Sequence, residues 1–392
     1  MSKWPLAALA VLALPAAAQP APDWQFSGFA TLGAVYTRSD DLQFARVGID
    51  APGGRRVDTG PDSVLGLQAG LRFGERSNAV LQIVTRETQR GDHRPRPALA
   101  FVSHALTPAL SVRAGRLRSP FFMLSDSVDI NYSHAWVRPP VEVYGLNPFS
   151  DLDGIDLLHR KTYGDTHIEF HPYLGRSKIP VIGGGDAELS RLLGMNVTVE
   201  FGEFSLSLGH ATADLSVRRS SQGFRDFVAP LPPELQDRLS GSDARASFSS
   251  IGLQWDDGRW RFSAELARNT AKAFSNSASG AYASLGRRIG NFMPYVTLAR
   301  QREDDPVIRP EEAGIHAGRI TLFNRSRNQS QRSATAGLRW DFTSEAAFKA
   351  ELSHVRTDRG AYGAFIARGN PFAPGLDHRV INLLSVSVDV VF

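Results

Sequence analysis

Past residue 23 the chain alternates apolar with polar or small side chains, the two-residue period of a strand with two unlike faces. In 24–36, Trp24, Phe26, Ala30, Leu32, Ala34 and Tyr36 fall on one face; Gln25, Ser27 and Thr31, with Thr37 just beyond, fall on the other. The same period predicts strands at 63–73, 79–86, 97–106, 110–117, 154–159, 166–175, 193–201, 204–214, 246–255, 260–269, 282–289, 292–300, 334–342, 347–355 and 380–392, sixteen in all. Short turns such as Gly74-Glu75-Arg76, Thr107-Pro108 and the two-residue hairpin signal Gly202-Glu203 alternate with long irregular connections.

That rhythm separates two architectures. Alternation alone also suits soluble sandwiches and propellers. An even number of strands with short turns on one side and long loops on the other is the pattern of a transmembrane up-and-down barrel, whose strands need about 9–11 residues to cross the bilayer at a tilt. Closure also leaves no unpaired sheet edge, which hydrocarbon demands. The expected fold is therefore all-β, an antiparallel sixteen-stranded β-barrel.

One stretch breaks the rhythm. Between Arg113 and Asp153 lie about thirty-five irregular residues, in which Phe121, Phe122, Met123, Trp136 and Tyr144 are interleaved with charges. A structureless segment of that length inside a compact domain is uncommon unless it is functional.

The N-terminus supports export. Lys3, an apolar run over 5–18 and Ala16-Ala17-Ala18 before Gln19 form the pattern of a cleavable secretory leader, so 1–18 is set apart from a barrel of 19–392. The 392 residues include no cysteine, which removes disulfides and thiolate metal sites. Net charge is +4 with both signs abundant, and no basic docking motif accompanies it, so nucleic acid is not expected as a partner.

The two ends and the centre resemble a known family. INLLSVSVDVVF sets Leu384, Val386, Val388, Val390 and Phe392 against Ser385, Ser387 and Asp389; with FSGFATLGAVYT at the start, it resembles the Gram-negative outer-membrane porins. RAGRLRSPFF followed by WVRPPVEVY is similar to a group of predicted proteobacterial porins. The resemblance implies an outer-membrane location reached through the periplasm, surrounding lipid and lipopolysaccharide, and a homotrimer. It also implies Phe392 as the signal read by the barrel assembly machinery, and a loop after the fifth strand, about 118–152, that folds inward.

Such a loop has a physical purpose, because a lumen of sixteen strands needs narrowing, and charges at a narrowing act through a focused field. The loop candidates are Arg118, Asp126, Asp129, Arg138, Glu142 and Asp151. Arg72, Arg86 and Arg113 fall on the polar faces of neighbouring strands and are the wall candidates; Arg116 falls on the opposite face. Phe121, Phe122, Trp136 and Tyr144 are expected to fasten the loop, and Pro120, Pro139, Pro140 and Pro148 to stiffen it.

Other chemistry is thin. Asp151 to Asp156 faintly resembles a calcium loop but lacks the remaining ligands, and Gly183-Gly184-Gly185 reads as a flexible outer loop. No metal or other cofactor is expected. No G-x-S-x-G or H-E-x-x-H motif appears, so a hydrolase stays a minor alternative. The expected function is passive diffusion of small hydrophilic solutes and ions. The arginines Arg113, Arg116 and Arg118 leave open a channel selective for anionic or carboxylated solutes, and an adhesion or anchoring barrel is the non-transport reading.

Overall fold

The computed structural model describes residues 23–46, 56–88, 91–182, 184–370 and 373–392; the expected leader 1–18 lies outside them. The chain forms a closed antiparallel barrel of sixteen long strands. They are β1 (Asp23–Thr37), β2 (Val64–Phe73), β3 (Ser77–Glu87), β4 (His93–Thr107), β5 (Leu110–Arg118), β6 (Asp151–Tyr163), β7 (Thr166–Pro180), β8 (Gly185–Phe201), β9 (Phe204–Arg219), β10 (Gly241–Asp256), β11 (Trp260–Ala271), β12 (Ser277–Arg287), β13 (Phe292–Asp305), β14 (Gln331–Asp341), β15 (Ala346–Thr357) and β16 (Val380–Val391).

Each strand pairs with its sequence neighbour, and β1 closes the ring against β16 in a register that sets Leu32 opposite Val388. At the seam Gly28 and Phe392 exchange backbone hydrogen bonds of 2.7 and 3.0 Å. The Phe392 ring lies where a Cβ on Gly28 would stand, 2.5 Å away, so this glycine is what lets the terminal aromatic lie on the seam.

The outer surface is apolar by construction. Leu32, Leu266, Leu298 and Leu352 point out and remain well exposed, while their neighbours Thr31, Glu265, Thr297 and Glu351 point in and are buried. Scattered exposed leucines are ordinary, but a ring of them around a closed sheet matches hydrocarbon. No described helix is long and apolar enough to cross a membrane, which leaves strand crossing untouched.

Three strand pairs share a device that fixes register. Phe29, Tyr173 and Tyr295 stand directly opposite Gly66, Gly194 and Gly337 on the next strand, and each ring fills the space over its glycine. An aromatic laid over a facing glycine pins one pairing, because a slip by one residue would turn the ring to the other face.

The strands exceed their expected lengths mainly at the long-loop end. Gly185, read above as part of a flexible loop, begins β8. Polar Asp186 and Glu188 conceal the alternation there, and a bulge between Ser190 and Leu193, with Arg191 at φ 47°, shifts its phase. Several long connections are also folded. Helices α2 (Gln222–Val228), α3 (Pro233–Leu239) and α4 (Ala317–Arg327) bury Leu235, Leu239, Ile320 and Phe323 in a common apolar cluster, and Leu42–Phe44 pairs with Phe365–Ala367.

Candidate functional site: the loop across the lumen

The connection between β5 and β6 runs from residue 119 to residue 150, so Arg118 and Asp151 are the last and first residues of the flanking strands. It holds only two 3₁₀ turns and α1 (Val141–Tyr144), and its order comes from the wall. Its hydrogen bonds reach inward-facing side chains in the middle of strand after strand.

On one side, Phe121 O accepts from Ser250 Oγ at 2.7 Å, and Met123 N donates to Glu265 Oε1 at 2.9 Å. Tyr144 donates its hydroxyl to the other oxygen of Glu265 at 2.6 Å; burial, reinforced by Tyr282 and Glu265, pushes this phenol well above its ordinary range. Farther round, Trp136 Nε1 donates to Thr297 Oγ1 at 2.9 Å, and Glu142 Oε1 accepts from Gln331 and Ser333 at 2.8 and 2.6 Å. Val137 N donates to Glu351 Oε1 at 2.8 Å, and Lys349 Nζ donates to the carbonyls of Asn131 and Trp136 at 2.6 and 2.8 Å.

Buried ion pairs complete the attachment. Arg138 grips Asp62, with Nε 2.5 Å from Oδ1, and donates to Ser385 Oγ at 2.8 Å. Asp129 takes Arg86 from β3 and, at 3.1 Å, Arg118. Burial alone would raise the Asp129 carboxyl, but Arg86 and then Arg118 hold it well below the usual carboxylate range. Lys349 lies 2.8 Å from Asp389 Oδ2, and neither side chain has any solvent exposure. Ions so deep in a protein persist only when paired and hydrogen-bonded, so the loop carbonyls on Lys349 are part of what keeps that pair satisfied.

Aromatic packing does the rest. Phe121 meets Tyr173 and Phe248 edge-on, Phe122 meets Phe248 edge-on and Tyr144 at a tilt, and Trp136 meets Tyr282 at a ring separation of 5.5 Å. Three wall glycines clear the backbone's path. A Cβ on Gly280 would lie 2.1 Å from Glu142 O, one on Gly252 would lie 2.7 Å from Met123 Sδ, and one on Gly209 would lie 3.3 Å from Phe121 O.

The candidate charges are thus distributed unequally. Asp129, Arg86 and Arg118 come together, while Arg138 and Glu142 bind separate parts of the wall. Asp126 is exposed and within electrostatic range of Arg113. Arg113 is itself occupied by Asp156, at 2.5 Å from Oδ2, and by His171. Arg72 stands exposed beside the first short turn, away from the loop. Arg116 sits on a strand that continues to Arg118, and its guanidinium is taken by both oxygens of Asp153 at 2.7 and 2.8 Å. Asp151 lies 3.1 Å from Arg96, so the three aspartates of the faint calcium pattern are each held by an arginine. Among the described residues no group of three or more acidic or histidine side chains is arranged to hold a metal.

Sequence reasoning missed the far wall. Asp62, Glu265, Lys349, Glu351 and Asp389 carry much of the attachment, and all but Asp62 are charges on the inner face of a strand. Charge at an inward position is the signal they carry, but they lie on strands or connections far from the loop in sequence.

Beyond the loop, on the long-loop side, lies a chamber of about 600 Å³ bounded by Arg46, Arg86, Arg96, Arg118, Arg219 and Arg327 among others. Glu87 and Asp151 are its only acidic lining residues among those described.

No family model matches the chain, and no curated protein sequence does. Solved structures do match. An anion-selective porin from Comamonas acidovorans superposes with a TM-score of 0.55 at 13% identity, covering 95% of this chain and 100% of its own. The trimer form of in-vitro folded OmpT, an outer membrane protein of Vibrio cholerae, gives 0.54 at 10% identity over 95% and 100%. OmpF of Salmonella typhi, in complex with daunomycin, gives 0.54 at 12% over 94% and 97%. The barrel is therefore of the outer-membrane porin type in fold.

Proposed function

We propose that the protein is an outer-membrane channel through which small hydrophilic solutes and ions diffuse passively, and that the 119–150 loop sets the passage. The observation that carries this reading is the attachment of the loop to inward-facing groups around the lumen, by buried pairs such as Arg138–Asp62 and Arg86–Asp129. A segment needed only outside the barrel would have no use for such anchors. Transport, rather than catalysis, is the activity assigned.

The chamber favours anions within this reading. Its arginines outnumber its two carboxylates, and low-dielectric walls concentrate their field on a passing solute. Porin-type neighbours support the outer-membrane setting; export by a 1–18 leader, insertion by assembly machinery reading Phe392, and contact with lipid and lipopolysaccharide belong to the same proposal. The neighbour described in a trimer form supports a homotrimer.

Purified barrel added to a planar bilayer under a potassium chloride gradient tests the proposal. The expected result is stepwise current with a reversal potential displaced toward the chloride equilibrium value. Folded protein that carries no current contradicts the channel, and reversal toward the potassium value contradicts the anion preference.

A further inference from the structure

The inner wall above the loop is apolar where a water-filled lumen calls for polar groups. On β9, Ala211, Ala213, Leu215 and Val217 all face in and are buried, and Leu192 and Phe248 on the adjoining strands continue the patch. These residues line the same chamber as the arginines. The Phe121 and Phe122 rings extend the apolar surface onto the loop.

The cations of the chamber are short of partners. Arg46 and Arg327 make no hydrogen bond or ion pair among the described residues; Arg327 merely lies over the Phe323 ring at 4.6 Å. Arg219 donates to two carbonyls, those of Leu239 and Phe274, and among the described residues has no carboxylate partner. Arg118 is 6% exposed, shares Asp129 with Arg86, and its Nε has no acceptor. Burial pushes Arg46 down to about 9, with repulsion from Arg86 that Asp129 and Asp62 partly offset, and burial pushes Arg327 down to about 10. Charge held in a partly buried site without a carboxylate is a standing cost that an entering anion relieves.

We propose that this chamber binds an amphipathic organic anion, a carboxylate carried on an aromatic or branched apolar body. The carboxylate sits between Arg219 and Arg327, which both approach the Phe323 ring, at 6.0 and 4.6 Å, and the body lies on the β8–β10 patch. About 600 Å³ falls inside the range of roughly 300–1,000 Å³ usual for small-molecule sites. The inference rests on the channel reading for its biological use, since the site stands in the path that reading assigns to solutes.

Calorimetry on the full barrel in amphipol separates the two requirements by comparing phenylacetate with acetate, which lacks the body, and 2-phenylethanol, which lacks the charge. Phenylacetate is expected to bind at least tenfold more tightly than either. R219Q and R327Q should each weaken phenylacetate about tenfold, and Leu215→Gln should weaken phenylacetate while leaving acetate unchanged. Heat-modifiable gel mobility identifies the folded variants. Equal affinity for acetate and phenylacetate, or phenylacetate affinity untouched by folded R219Q and R327Q, overturns the site. Binding without any bilayer current would leave the site standing and remove the channel, whereas current without binding would do the reverse.

Discussion

Lys349 and His134 show how individual side chains hold the loop. Replacing Lys349 with Met leaves Asp389 buried and unpaired, which costs about 3–5 kcal/mol. The heat-modifiability midpoint of Lys349→Met should fall, and the double variant with Asp389→Leu should recover part of the loss. Equal midpoints for the single and double variants would contradict that coupling.

His134 supplies a pH dependence. It is buried with Nε2 2.8 Å from Ser127 O, and burial, followed by the positive charge of Lys349, pushes its pKa down to about 3. An unfolded or released loop binds a proton near pH 6.5, whereas the seated loop does not until about 3, so seating weakens progressively as pH falls through that interval. Asp129 behaves differently. Its folded pKa is depressed, so its contribution is present above the ordinary carboxylate value and is lost only as pH falls far below it. Open-channel current noise should therefore rise between pH 7 and pH 4 in wild type and much less in His134→Gln; identical pH profiles would contradict the assignment.

At the scale of elements, what the sequence revealed follows from where each face points. Strands within the bilayer have one face in lipid, so Leu384, Val386 and Val388 alternate cleanly with Ser385 and Ser387 and declare a strand. The outer end of β8 is not so constrained, and its Asp186, Glu188 and bulged Arg191 hid a strand behind a glycine run. The loop stood out by length and aromatic content, but its seat did not. Gly209, Gly252 and Gly280 look like strand weaknesses until Phe121, Met123 and Glu142 are found against them. Replacing Gly280 by Ala places a Cβ 2.1 Å from the Glu142 carbonyl, a backbone atom that cannot turn aside. Gly280→Ala should displace α1 and raise single-channel conductance in a barrel that still folds; unchanged conductance would show that the loop's seat does not set the passage.

For the whole molecule, the closed sheet and the loop divide the work. The sheet removes every unpaired edge from the bilayer and presents an apolar exterior. The loop converts a wide interior into a chamber rich in arginine and backed by an apolar patch. Strand order was legible because pairing between sequence neighbours is the simplest way to close a ring. The chamber was not, because Arg46, Arg219 and Arg327 come from three separated connections or strand ends and line one space only in the fold.

Control of passage by the loop is read from the single-channel conductance of wild type against a variant lacking residues 125–142, with heat-modifiable mobility confirming that both barrels are folded. Conductance is expected to be several times higher in the deletion variant, together with a weaker preference for chloride. A folded deletion variant with the conductance and selectivity of wild type would contradict it.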